Sequence, residues 1–277
     1  MRTAQILNGR EIAEKMLARL AKDLEAIQRS GQKLTLATVQ IGESKDTVLY
    51  SQSIERTFKK VNAGYLPKIY PEKISQSDLQ KEILKLNRDP QVSAILVFSP
   101  LPAHIQQAAL LSTLDVLKDV ERVVPPTAAA AVALIEETGA EIMGKEAVVV
   151  GRSNTVGRPA TMLLLDKRAT VTVCHSKTRN LRGHVENADI VIAAAGQPEL
   201  IKGEWIKPGA IVIDVGENVV NGKLVGDVEF EKAKERAGFI SPVPGGVGPL
   251  THVMLIKNLL TLHKLKETAI GNPRAFQ

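Results

Sequence analysis

Residues 146–159 read EAVVVGRSNTVGRP, and the change of rhythm within them decides the fold. EAVVVG (146–151) is a short, continuous apolar run of the kind that forms a buried strand. GRSNTVGRP (151–159) then turns into a helical pattern over 158–165. Gly151 permits a tight turn, and Gly157 permits a helix to pack closely on the strand. A phosphate-binding loop of a dinucleotide fold occupies this place, but its second glycine is here Ser153, giving G-x-S-x-x-x-G. The turn alone fits any strand-to-helix junction of a parallel sheet equally well.

The surroundings repeat the unit. ATVTVC (169–174), DIVIAAAG (189–196), AIVIDVG (210–216) and GFIS (238–241) are further strand patterns separated by helical ones. Such spacing predicts a parallel sheet covered on both faces. The first of these strands runs into Cys174-His175-Ser176-Lys177-Thr178-Arg179. NAD-binding folds usually place an acid there to accept hydrogen bonds from the adenosine ribose. Hydroxyls and cations stand there instead, with Arg152 in reach, which suits a 2′-phosphate and favours NADP over NAD. The other reading is a solvated basic loop. PVPGGVGPLT (242–251) packs three glycines and three prolines into ten residues. It is read either as a ligand loop that exposes main-chain amides or as an inter-domain hinge.

The N-terminal part alternates helix and strand patterns: helices over 9–29, 44–62, 75–87 and 104–114, and strands over 34–42 and 94–102. Pro125 and Pro126 mark a boundary, followed by a helix over 127–139. A last apolar helix covers 251–265, and the tail after Thr268 is expected to fray. The expectation is a two-domain α/β protein: a smaller domain over 1–124, with helix 251–265 packed back on it, and a Rossmann-like parallel sheet over 125–250. A cleft between them is expected.

Composition narrows the function classes. The chain has 277 residues, 44% of them hydrophobic and 24% charged, as in ordinary globular proteins. Cys174 is the only cysteine, so an intrachain disulfide is excluded and a reducing, cytoplasmic setting is expected. No apolar run reaches the ~18 residues of a membrane helix, and the first twenty residues do not read as a secretory signal. The net charge of +6 suggests an anionic partner. Scattered cations and 3% aromatic residues argue against nucleic acid. The five histidines show no metal-ligand spacing, so no metal is expected.

In order, GRSNTVGRP, CHSKT, DVG, GDVEF and PVPGGVGPLT resemble the methylenetetrahydrofolate dehydrogenase / methenyltetrahydrofolate cyclohydrolase family. ILNGREIA, VLYSQSIER, LNRDP, ILVFSPLP and LKDV extend the resemblance over about residues 3–265. It implies a folate substrate in the cleft, NADP on the Rossmann-like domain and a homodimer. It assigns cofactor contacts to Gly151, Arg152, Ser153, Ser176, Glu217 and Thr251. Substrate contacts fall on Tyr50, Ile54, Val97, Phe98, Ser99 and Glu121, and on Pro244, Gly245, Gly246, Val247 and Gly248.

The folate side departs from the family pattern. The family's Tyr-x-x-x-Lys is Tyr50-Ser-Gln-Ser-Ile54 here, which keeps the tyrosine and loses the lysine. Val-Gln-Leu-Pro-Leu-Pro is Val97-Phe98-Ser99-Pro100-Leu101-Pro102. Lys-Asp-Val-Asp-Gly is Lys118-Asp119-Val120-Glu121-Arg122, and the segment beyond it is shorter than the family's. Asp-Val-Gly-Ile-Asn is Asp214-Val215-Gly216-Glu217-Asn218, with a carboxylate in place of an apolar residue. Hydride transfer needs only orientation of two partners. Hydrolysis needs a proton-transfer group, and Ile54 and Phe98 supply none. The expectation is an NADP-dependent dehydrogenase without cyclohydrolase activity, with Tyr50 the one retained candidate catalytic residue. The alternatives are a non-catalytic NADP-binding paralogue and a dehydrogenase for another small substrate.

Overall fold

The computed structural model describes residues 3–271. In chain order it begins with β1 (Gln5–Ile6), α1 (Gly9–Arg29), β2 (Thr35–Ile41), α2 (Lys45–Lys60), β3 (Gly64–Tyr70), α3 (Gln76–Arg88) and β4 (Ala94–Val97). Three helices come next: α4 (Gln107–Leu111), α5 (Val120–Val123) and α6 (Pro126–Glu136). Then come β5 (Glu146–Val150), α7 (Gly157–Asp166), β6 (Thr170–Cys174), α8 (Leu181–Glu186), β7 (Ile190–Ala193) and β8 (Ile211–Asp214). The last elements are β9 (Asn218–Val220), β10 (Lys223–Val225), α9 (Phe230–Ala233), β11 (Phe239–Ile240) and α10 (Val247–Gly271).

The chain forms two units, each an α/β assembly. The first comprises Met1–Met16 and Pro125–Met254. Its six-stranded sheet has the order β1-β11-β8-β7-β5-β6, and every neighbouring pair is parallel. The strands are apolar because both faces are covered; Val148, Val150, Val191, Val212 and Ile240 belong to one buried cluster. From β5 the chain moves one way to β6 and then back past β5 to β7 and β8. The strand order therefore reverses between β5 and β7, which is where open parallel sheets bind ligands at their carboxyl ends.

The second unit comprises Leu17–Val124 and Leu255–Gln277. A three-stranded parallel sheet, β3-β2-β4, forms its centre. Ala37, Val39, Ile95 and Val97 pack against Leu79 and Ile83 of α3. Ser44 and Ser75 cap α2 and α3 by accepting from the amides of Thr47 and Asp78.

The structure differs from the sequence expectations at definite points. Residues 3–16 belong with the parallel sheet, not with the 1–124 domain, because β1 pairs with β11. GYLPKIY (64–70) is a strand that the sequence pattern does not announce; it contains Pro67 and lies at the edge of its sheet, where proline is tolerated. The strand expected over 94–102 ends at Val97. Pro126 does not break a helix but begins α6, since proline suits the first helical position. The last helix starts at Val247, inside the glycine–proline segment, and continues through Gly271. The expected fraying therefore does not begin at Thr268, and residues 272–277 of the tail lie outside the described residues.

Candidate functional site

The turn after β5 stands at the strand-order reversal. Gly151 has φ +120°, and its amide donates to the Cys174 carbonyl at 2.9 Å, which sets the turn beside the end of β6. A Cβ at Gly151 would lie 2.0 Å from the Ala194 carbonyl oxygen, so only glycine fits. The Ser153 hydroxyl accepts from the amides of Val156 (3.2 Å) and Gly157 (3.3 Å), which opens α7. Ser153 thus shapes the loop, a role the sequence does not disclose. Among the described residues, the amides of Arg152, Ser153, Asn154 and Thr155 have no acceptor. Arg152, Ser153, Ser176 and Lys177 are exposed, as is Arg179. Open amides, cations and hydroxyls, with no carboxylate over 174–179, form a donor set that fits a phosphorylated dinucleotide.

A second feature of this unit is not visible in the sequence. Asp214 and Asp227 are buried side by side at the ends of β8 and the β9–β10 hairpin. Asp214 accepts from the amides of Gly216 (2.9 Å), Asp227 (3.0 Å) and Val228 (2.9 Å). Asp227 accepts from the amides of Ala195 (2.6 Å), Gly196 (2.9 Å) and Gln197 (2.8 Å), and from Asn218 Nδ2 (2.9 Å). Burial pushes the Asp214 carboxyl up to about 7, against the pull of its three amide donors. In the sequence, DVG and GDVEF are only landmarks of resemblance. No local spacing shows that their acids meet.

The glycine–proline segment is anchored within the same unit. The Gly9 amide donates to the Gly245 carbonyl at 2.9 Å, and a Cβ on Gly9 would lie 1.7 Å from Gly246 O. The start of α1 therefore clasps Gly245 and Gly246, while Pro244 is exposed. Val247 and Gly248 form the first turn of α10, and a Cβ on Gly248 would lie 3.4 Å from Glu217 Oε1. Glu217 thus places its carboxylate at the N-terminal end of a long helix, a favourable position for negative charge. Thr251 is buried, with its hydroxyl directed at the Val247 carbonyl (3.4 Å).

In the second unit, α2 carries Tyr50 and Ile54. Ile54 is fully buried and Tyr50 is 37% exposed. Phe98, just past β4, meets the Tyr50 ring edge-on, with centroids 5.3 Å apart at 60°. Val97 is buried in the sheet and Ser99 is exposed. Ser51 and Thr38 both hydrogen-bond the Tyr65 hydroxyl, at 2.7 and 3.0 Å, which ties α2 to β2 and β3. Glu121 lies in the first turn of α5, which Asp119 caps by accepting from the amides of Glu121 (3.1 Å) and Arg122 (3.3 Å). Burial, with the nearby Asp119 charge, raises the Glu121 carboxyl to about 7. Asn258 Nδ2 donates to the carbonyls of Val120 (2.8 Å) and Val124 (2.6 Å), fixing both ends of this short helix.

Comparison with known proteins matches this arrangement. Residues 7–121 match the catalytic domain of tetrahydrofolate dehydrogenase/cyclohydrolase, and residues 125–267 match its NAD(P)-binding domain. The bifunctional protein FolD 2 of Geobacter sulfurreducens is 44% identical over 97% of this chain and 99% of its own length. The FolD methylenetetrahydrofolate dehydrogenase-cyclohydrolase of Trypanosoma brucei was solved with NADP cofactor and inhibitor. It superposes with a TM-score of 0.91 at 37% identity, covering 96% of this chain and 99% of that one. A 5,10-methylenetetrahydrofolate dehydrogenase from the silkworm Bombyx mori gives a TM-score of 0.90 at 33% identity, covering 96% and 99%. With the fold, both domains and nearly its whole length accounted for, the chain belongs to the tetrahydrofolate dehydrogenase/cyclohydrolase family.

Proposed function

We propose that the protein is an NADP-dependent 5,10-methylenetetrahydrofolate dehydrogenase without the cyclohydrolase step. The observation that carries this reading is a contrast between the units. The loops at the strand-order reversal of the first unit keep an anion-binding donor set. In the second unit, the position of the family's lysine is Ile54, fully buried, and that of its glutamine is Phe98.

Oxidation at the methylene carbon removes a hydride, and the lone pairs of the flanking folate nitrogens stabilise the cation that forms. Bound NADP supplies the hydride acceptor. What remains for the chain is orientation, worth many orders of magnitude when the reacting atoms are held in line. Arg152, Lys177, Arg179 and the open amides of 152–155 hold phosphates, and the absence of an acid over 174–179 favours the 2′-phosphorylated cofactor. Tyr50 offers a ring face to an aromatic part of the substrate, and Glu121 a carboxyl for its hydrogen-bond donors. Hydrolysis of the methenyl product would require a proton to leave the attacking water. Buried Ile54 and Phe98 give that proton nowhere to go.

A homodimer completes the reading. Among the described residues, edge strand β6 pairs only with β5. Val173 on it is 37% exposed, and Met162 and Leu165 on neighbouring α7 are 59% and 45% exposed, an apolar edge that a second copy would cover. The lone cysteine, Cys174, is buried and unpaired, as suits a reducing cytoplasm. No helix among the described residues is long and apolar enough to cross a membrane.

A second reading, NADP binding without turnover, draws on Glu121, one methylene longer than the family's aspartate. Titration of the purified protein with NADP, NAD and methylenetetrahydrofolate, together with a turnover assay, separates the two. The dehydrogenase predicts substrate-dependent formation of NADPH with NADP preferred. Binding of NADP with no NADPH formed would favour the second reading, and binding of neither ligand would defeat both.

A further inference from the structure

At the carboxyl ends of the six-stranded sheet, the crevice between β5 and β7 has two walls. One is the turn at 151–157; the other is segment 194–197, just after β7. They touch where the Ala194 carbonyl leaves no room for a side chain at Gly151. The first wall is held by its own glycine and by Ser153. The second wall has no such internal support. Its three successive amides, Ala195, Gly196 and Gln197, all donate to a single side chain about thirty residues downstream, Asp227.

We propose that Asp227 is a positioning residue for the dinucleotide: it fixes the wall opposite the glycine turn, and Asp214 locks it to the strand that leads into the glycine–proline segment. This inference rests on the reading of the crevice as the NADP site. The chemistry of the acceptor explains why an acid is required. An ionised carboxylate only accepts, and its two oxygens can take about four donors. Asp227 is used to that limit, with Ala195 and Gly196 on Oδ2 and Gln197 and Asn218 Nδ2 on Oδ1. A neutral amide in its place would turn an NH2 group towards amides that also donate.

Asp214 continues the chain of contacts. Its Oδ1 takes the Asp227 amide, and its own amide donates to Ser241 Oγ at 2.8 Å. Ser241 opens the Pro242–Gly246 segment, and a Cβ on Gly246 would lie 3.3 Å from the same Oγ. The two acids can come so close to the main chain only because glycines flank them. A Cβ on Gly226 would lie 1.9 Å from Asp214 Oδ2, and one on Gly216 would lie 2.3 Å from Asp227 Oδ1. DVG and GDV are thus two halves of one device that joins the loops after β7, β8 and β11.

The test compares Asp227→Asn with Asp189→Asn. Asp189 is also an acid of this sheet, but it sits at the start of β7, where it accepts from Lys207 Nζ (2.7 Å) and the Glu146 amide (3.1 Å). NADP affinity is measured by calorimetric titration well below the melting temperature of either variant, and stability by thermal unfolding. D227N is expected to weaken NADP about tenfold or more. D189N is expected to lower the melting temperature while affinity stays within about twofold. Stability loss in D227N with unchanged NADP affinity would show a purely structural role and overturn the proposal. Should D227N fail to fold, Asn218→Ala removes one donor from Asp227 and is expected to weaken NADP about threefold; unchanged affinity there overturns it equally. Wild-type protein that binds no NADP defeats the cofactor reading and this inference with it, whereas NADP-binding wild type with unaffected variants defeats the inference alone.

Discussion

At the residue scale, the proposed absence of cyclohydrolase activity turns on two side chains that belong to the packing. Ile54 is fully buried on α2, and Phe98 rests against Tyr50. Restoring the family's residue at one position does not restore its environment. Ile54→Lys places an ammonium at a fully buried position and should cost about 3 kcal/mol, read as a fall of roughly 6–12 °C in melting temperature. A melting temperature equal to wild type would mean that position 54 still opens to water. Glu121 gives a pH signature. Its carboxyl lies near 7 in the fold, against about 4.3 in an unfolded chain. The folded state therefore holds the extra proton between those values, and Glu121 costs stability increasingly as pH rises through that window. Glu121→Gln removes the titration. Its melting temperature should exceed that of wild type at pH 8 by more than it does at pH 5. Equal differences at the two pH values would show that Glu121 is ionised throughout.

At the element scale, legibility in the sequence depends on whether the information is local. The helix over 9–29 is bounded by its own apolar spacing and by Gly31, and α1 runs over Gly9–Arg29. The buried strands of the parallel sheet stand out as apolar runs, because both faces are covered. β3 does not: Pro67 and Lys68 interrupt it, and only its place at a sheet edge makes them tolerable. The start of α10 is hidden because a proline in the first turn of a helix looks like a loop residue. The candidate site divides the same way. The glycine turn and the acid-free second strand end are contiguous stretches and are legible. The Asp214–Asp227 pair is not, since Asp227 binds amides 30–32 residues away. The Tyr65 hydroxyl is another hidden element, joining α2 to two strands. Tyr65→Phe should destabilise the protein by about 1 kcal/mol and weaken substrate more than NADP, because it loosens the helix that carries Tyr50. Equal weakening of both ligands would argue against that role.

At the scale of the whole molecule, the proposed function rests on a contrast between the units: open amides and cations at the glycine turn of the first, and buried Ile54 and Phe98 in the second. The first unit also carries the apolar edge of β6 and α7. Met162→Glu with Leu165→Glu should convert a dimer to a monomer in light-scattering measurements, because charges desolvated at the interface would be unpaired. A wild-type monomer at micromolar concentration would refute the dimer. The most direct test of a dehydrogenase without cyclohydrolase records both reactions in one vessel. Wild-type protein is supplied with methylenetetrahydrofolate and NADP, and NADPH and methenyltetrahydrofolate are monitored together. NADPH and methenyltetrahydrofolate should rise in step, and the methenyl product should then decay at the buffer rate whatever the protein concentration. NADPH formation accompanied by methenyl hydrolysis in proportion to added protein would contradict it.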